Sequence, residues 1–347
     1  MKTINKAAIK KILVINLAFI GDTILSTPVT RALAKEYPQA KLTMLTIPVA
    51  AAIAELNPYI DEVITYDKKG SHKGFAGMLK IAKQLRKEKF AMAVCLNFAL
   101  RGAAVAWLAG IPLRIGYDAQ HAGLFLTHTS SAIRDALWHE SRNHLEVLRP
   151  LNIEPTDTTL ALTTRTQDAT SLANKITAPA LANPYIVVCP FGSYDRKSLS
   201  MGKYVSIIQA LSADTLIYLI GGAKERDDLL TIAQQSGLPE KQVLAGTLTL
   251  PELTVLIAKA TVMLTVDTGP LHIAQAIGTP VVALFGPTDP QVWGPRNEND
   301  VLFYQESNCS PCWGKGDCSA NICLESLSTD KIAEAVEAIL KKKLECK

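Results

Sequence analysis

The feature that most constrains this chain is an alternation. Apolar runs rich in Val, Ile and Leu recur along it, each followed by a longer segment with apolar residues at helical spacing. KILVINL (11–17) reads as a strand, and TILSTPVTRALAKEY (23–37) as a helix with Ile24, Leu25, Val29 and Leu33 on one face. KLTMLTI, EVITYD and MAVCLN continue as strands. AAAIAEL, FAGMLKIAKQLRKE and RGAAVAWLAG are the accompanying helices, and LRIGYD closes the run. Apolar strands joined by helices dictate a mostly parallel sheet covered on both faces, with right-handed crossovers.

A stretch rich in Thr, Ala, Asn and Pro (155–184) interrupts the pattern, with TQDATSLANKI as a helix inside it. The alternation then resumes. YIVVCPF, TLIYLIGG, VMLTVD and PVVALFG read as strands, and MGKYVSIIQAL, AKERDDLLTIAQQSG, LPELTVLIAKA and GPLHIAQAIG as helices. The expectation is an α/β chain of two doubly wound, Rossmann-like halves over 1–170 and 171–325. An amphipathic C-terminal helix follows over 326–347, capped by Ser328 and with lysines in its last turn. A length of 347 residues suits two domains, and 48% hydrophobic against 20% charged residues argues against disorder.

Composition narrows the function. A formal charge of +4 is too small to argue for nucleic acid and fits a protein that meets acidic or phosphorylated substrates. No apolar run approaches the ~20 residues that span a bilayer. Lys2, Lys6, Lys10 and Lys11 ahead of an apolar stretch imitate a signal peptide. Asn16 interrupts that stretch and no small-x-small site follows, so a first strand and a cytoplasmic protein are expected. Cys95 and Cys189 lie in apolar runs and read as core.

Ligands of parallel α/β sheets bind at the carboxyl ends of strands, where helix N-termini point. LAFIGDTILSTP (17–28) places Gly21 and Asp22 at such an end. Asp22 is either a helix cap or a base that takes a proton from a hydroxyl. With one glycine and no G-x-G-x-x-G, this loop disfavours a dinucleotide. In the second half, Asp267-Thr268-Gly269-Pro270 starts a helix whose free N–H groups suit phosphate, with His272 in its first turn. Gly192 and Ser193 form a turn ahead of Arg196 and Lys197, either of which can neutralise a leaving diphosphate, although a solvated pair is the plainer reading. Glu225, after Gly221-Gly222, complements a helix dipole or accepts ribose hydroxyls. Arg101 and Arg114 follow strand-like segments and can hold an anionic acceptor. Cys309, Cys312, Cys318 and Cys323 supply the ligand count for structural zinc or an iron–sulfur cluster, beside the last strand and away from the catalytic centre. The alternative is a loop of free thiols.

With these residues in view, the chain resembles the glycosyltransferase family that includes the ADP-heptose:lipopolysaccharide heptosyltransferases. The resemblance runs from about residue 11 to 325 through GDTILSTP, RIGYD, FGSYDRKSLS, LIGGAKERD and above all VDTGPLHIAQAIGTPVVALFGPTDP. The cysteine-rich tail is similar to that of heptosyltransferase II-like members. The resemblance implies the GT-B fold of two Rossmann-like domains facing a cleft, with an acceptor-binding first half and a nucleotide-sugar-binding second half. It implies inversion at the anomeric carbon without a catalytic metal. Asp22 would be the general base, Lys197 would contact the donor phosphates, Asp267, Thr268, Gly269 and His272 would surround the diphosphate, and Glu225 would lie near the ribose. An ADP-sugar donor and a lipopolysaccharide core acceptor at the inner membrane surface follow, with peripheral attachment there. Two stretches depart from the family pattern: Leu199-Ser200 stand where Trp-Pro is frequent, and Cys95-Leu96-Asn97 replace an Asp-x-Gln. The rival readings are a related transferase or epimerase using another nucleotide sugar, or a non-catalytic nucleotide-sugar binding protein.

Overall fold

The computed structural model describes residues 6–131, 135, 137–154, 156–176, 183–211, 215–315, 318 and 321–345. Two compact units divide the chain, Met1–Thr163 and Thr164–Lys347.

The first unit is built on strands β1 (Lys11–Asn16), β2 (Lys41–Thr46), β3 (Glu62–Thr65), β4 (Met92–Cys95), β5 (Leu113–Tyr117) and β6 (His128–Ser130). They form one parallel sheet in the order β3-β2-β1-β4-β5-β6. Its helices are α1 (Ile20–Leu25), α2 (Thr27–Glu36), α3 (Pro48–Ala54), α4 (Gly74–Glu88), α5 (Leu100–Leu108) and α6 (Glu140–Leu145). The central strand shows why both faces are covered. Ile12 and Val14 pack with Val29 and Leu33 on one side, while Leu13 and Ile15 pack with Ile81 and Leu85 on the other. All four strand residues are at most 1% exposed, and each such burial contributes about 1.5–3 kcal/mol.

The helix expected over 23–37 is two helices. Pro28 lacks the N–H that would continue the ladder. Ser26 and Thr27 instead donate their hydroxyls to the carbonyls of Thr23 and Ile24. The first helix also starts earlier, at Ile20, which draws Asp22 inside it.

The second unit opens with α7 (Thr166–Lys175) and continues with β7 (Tyr185–Cys189), α8 (Met201–Ala210), β8 (Leu216–Leu219) and α9 (Arg226–Ser236). Then come α10 (Leu250–Lys259), β9 (Val262–Val266), α11 (Gly269–Ile277), β10 (Val281–Phe285), α12 (Pro290–Trp293), β11 (Val301–Tyr304), α13 (Ile322–Glu325) and α14 (Thr329–Glu345). The parallel sheet runs β11-β10-β9-β7-β8.

The units divide at 163/164 and not at 170/171 because α7 is fastened whole to α10. Ser171 Oγ donates to Glu252 Oε1 at 2.7 Å and Lys175 Nζ to Glu252 Oε2 at 2.8 Å. These bonds hold the Glu252 carboxyl down at about 2 against the desolvation that raises it. The C-terminal helix is likewise part of this unit: Ile332, Val336 and Leu340 lie in its hydrophobic core.

Candidate active site

Strand order reverses between β1 and β4 in the first sheet and between β7 and β9 in the second. In open α/β sheets such reversals leave a crevice at the carboxyl ends of the strands. Asp22, after β1, and Asp267, after β9, sit at these two places.

In the second unit, the chain leaving β7 turns at Gly192 and folds back on itself. A Cβ at Gly192 would meet Lys197 Cβ at 2.4 Å, so only glycine lets the loop bring Lys197 inward. Lys197 Nζ pairs with Asp267 Oδ2, beyond the end of β9, at 2.6 Å, with the two side chains 14% and 6% exposed. Asp267 is therefore a counter-ion and not a cap. Thr268 holds the N-cap position of α11 without a side-chain cap bond, so the first N–H groups of that helix keep their capacity for an anion. His272, one turn in, is buried; desolvation pushes its pKa down to about 4, Asp267 opposing and Lys197 adding to the shift. The ring is neutral at physiological pH.

Beside this pair lies a cavity of about 360 Å³, lined by Gly192, Ser193, Gly221, Gly222, Glu225, Thr268 and an apolar wall that includes Leu244, Leu248 and Leu253. Glu225 Oε2 accepts the Gly222 N–H at 2.6 Å, fixing the carboxylate at the cavity's edge. A wall of leucines, a fixed carboxylate and a cation at a helix N-terminus suit, in that order, a base, a ribose and a diphosphate.

In the first unit Asp22 is not a cap either. Phe19 occupies the N-cap position of α1. A carboxylate oxygen of Asp22, one of Glu140 and a ring nitrogen of His144 all lie within 4.8 Å of one another. Glu140 and His144, at the start and end of α6, are 1% and 4% exposed, with Glu140 Oε1 3.5 Å from His144 Nε2. The approach to Asp22 is stiffened across the strand reversal: Asn97 Oδ1, after β4, accepts the Leu17 N–H at 2.6 Å. The Asn that departs from the family's pattern thus has a defined duty.

The two arginines separate. Arg101 donates to Tyr66 Oη at 3.2 Å and lies close enough to Lys68 to lower that amine's pKa, though desolvation is the larger cause. Lys68 Nζ in turn donates to Leu17 O, on the Asp22 loop, at 3.1 Å. Arg101 and Lys68 thus form a cationic pair beside this loop. Arg114 is committed elsewhere, its guanidinium donating to the carbonyls of Phe125 at 2.6 Å and Ile111 at 2.5 Å. It braces the start of its own strand, at the opposite end from the strand's carboxyl terminus, and we withdraw it from the anion site. Glu140 and His144 escaped the sequence reading. An acid and a histidine four apart in HESRNH were the signal available.

In the cysteine segment, Cys309 is exposed, Cys312 and Cys318 half-buried, and Cys323 buried. Burial raises the Cys323 thiol, and Cys312, Cys309 and Cys318 add to the shift, so the other three thiols lie near it. The segment is not remote from the donor loop. Arg196 Nη1 donates to Gly314 O at 3.1 Å and Asn321 Nδ2 to Ser198 O at 2.7 Å. The segment therefore straps the loop that carries Lys197.

Two Rossmann-like units, one with a cavity beside a helix N-terminus and the other with an acid at a strand reversal, have the architecture of the GT-B class of glycosyltransferase. The sequence profile of glycosyltransferase family 9 (heptosyltransferase) matches residues 78–322, and the chain belongs to that family. It is similar to lipopolysaccharide heptosyltransferase 3 of Escherichia coli, 29% identical over 309 residues that cover 82% of this chain and 86% of the relative. Among solved structures, a family 9 glycosyltransferase from Veillonella parvula superposes with a TM-score of 0.84 at 22% identity, covering 96% of this chain and 97% of the other. The E. coli ADP-heptose lps heptosyltransferase II superposes with a TM-score of 0.80 at 22% identity, covering 96% and 99%. The protein is a glycosyltransferase.

Proposed function

We propose that the protein transfers heptose from ADP-heptose to a hydroxyl of the lipopolysaccharide inner core, with inversion at the anomeric carbon. The observation that carries this reading is the Lys197–Asp267 pair beside the Glu225 cavity. It offers a diphosphate a cation that is already desolvated and oriented. The names of the relatives, among them lipopolysaccharide heptosyltransferase 3 and ADP-heptose lps heptosyltransferase II, support the choice of sugar and acceptor.

Asp22 takes the proton of the acceptor hydroxyl as that oxygen bonds to the anomeric carbon. The bond from that carbon to the diphosphate oxygen breaks, and its electron pair leaves with ADP. Lys197 and the N–H groups at the start of α11 meet the departing charge, while Glu225 holds the ribose. Arg101 and Lys68 hold an anionic group of the acceptor. No step calls on a metal. The first unit serves the acceptor and the second the donor, so transfer depends on both. No helix among the described residues is long and apolar enough to cross a membrane; we place the enzyme at the cytoplasmic surface of the inner membrane, where a lipid-linked acceptor is presented.

Incubation with ADP-heptose and a truncated core acceptor tests the reading. The expected products are ADP and an elongated acceptor whose new linkage has the opposite anomeric configuration to the donor. Binding of ADP-heptose without transfer to any core acceptor would leave a nucleotide-sugar binding protein in its place.

A further inference from the structure

Helix α4 carries an outer face that the proposed chemistry does not use. Its inner stripe, Gly77, Ile81, Ala82 and Leu85, is buried against the first unit's core. At helical spacing the opposite side presents Phe75 and Leu79, 66% and 42% exposed, followed along the same side by exposed Lys80, Lys83 and Lys87. Exposed Lys73 stands at the N-cap. The helix's one acid, Glu88, is engaged by Lys11 at 3.0 Å. Between residues 68 and 89 the chain holds eight Lys and Arg residues against that single acid, while the whole protein carries only +4. Positive charge is thus concentrated on one segment, with two apolar side chains standing beside it.

We propose that this face of α4 docks the protein on an anionic phospholipid bilayer, with Phe75 and Leu79 entering the headgroup boundary and Lys73, Lys80, Lys83 and Lys87 meeting the lipid phosphates. Charge complementarity selects the occupant. A single helix face with two apolar residues and a lysine flank can lie in the plane of an interface. Clustered lysines near an anionic leaflet each contribute about fivefold to binding. The surface deepens the reading of a lipid-linked acceptor but rests on its own observations: it continues from Lys68, one of the two cations assigned to the acceptor, along the chain into α4.

The test is co-sedimentation of the full chain with phosphatidylcholine vesicles and with vesicles of equal parts phosphatidylcholine and phosphatidylglycerol, with transfer to a soluble, delipidated core acceptor measured separately. Binding is expected only with the anionic vesicles, and should weaken as salt is raised. The triple variant Lys80→Gln, Lys83→Gln, Lys87→Gln should bind about a hundredfold less tightly. The pair Phe75→Ala, Leu79→Ala should lose about tenfold. Both should melt as the wild type does and keep full transfer to the soluble acceptor. As a control, Lys341→Gln, Lys342→Gln and Lys343→Gln on α14 remove equal charge and should leave binding intact. Equal weakening by the control, equal binding to both vesicle types, no vesicle binding at all, or dimerisation lost with the α4 substitutions would each overturn the proposal. Vesicle binding without any heptose transfer would sink the enzymatic reading and leave this one standing.

Discussion

Asp267 and Asp22 each follow a strand at the reversal of a parallel sheet, and neither caps the helix it meets. Their surroundings differ. Asp267 has a lysine at 2.6 Å and a neutral histidine one turn away. Asp22 lies beside a second carboxylate and an imidazole, with a cationic pair from other segments beside its loop. The first arrangement holds a cation still; the second sets an acid beside another carboxylate and an imidazole. Topology therefore places a carboxylate at each reversal, and the neighbours set the two apart.

The sharpest way to break this contrast is to make Asp22 an amide. Asp22→Asn should retain fold and ADP affinity and lose about 10²–10⁴-fold in turnover. Near-normal turnover would leave Asp22 without its catalytic duty. The cation comes next. Lys197→Ala should weaken ADP about a hundredfold, the scale of a lost charge-assisted hydrogen bond, while adenosine affinity measured by calorimetry stays near the wild-type value. Equal losses for both ligands would move Lys197 off the diphosphate.

Smaller effects sharpen the first unit's side. Arg101→Ala should raise the acceptor KM about tenfold and leave ADP affinity alone. Arg114→Ala should instead cost about 2 kcal/mol of stability, by loss of its bonds to carbonyls, with the acceptor KM unchanged. A reversal of those two results would return Arg114 to the anion site. The smallest effects lie in acid. His272 binds its proton at about 4 when folded and near 6.5 otherwise, so the unfolded chain takes up more protons between those values and stability falls as pH drops through that window. For Glu252 the same sign applies from 4.5 down to about 2. Denaturant midpoints across pH should lose the upper slope in His272→Asn and the lower slope in Glu252→Gln, each without disturbing the other.

Much of this was legible beforehand because parallel strands are apolar on both faces. Ile12 to Ile15 and Val262 to Val266 announce themselves. The acids and the lysine of the donor loop were found because they follow such strands. What went unread was polar or short. α6 carries Glu140 and His144 in a stretch whose burial comes from tertiary packing and not from apolar periodicity. β6 has three residues, too few to show a pattern. The fate of Arg114 depended on carbonyls that only the folded chain brings to it.

The fastening of α7 to α10 through Glu252 also says where this chain can be recombined with a relative. A crossover between Thr163 and Thr164 would deliver α7 and its receiving carboxylate from one parent. A crossover at 170 would splice one helix from two parents, leaving the Arg165–Asp168 pair on one side and Ser171 and Lys175 on the other. Donor preference should then travel with everything after Thr163, and acceptor preference with everything before it.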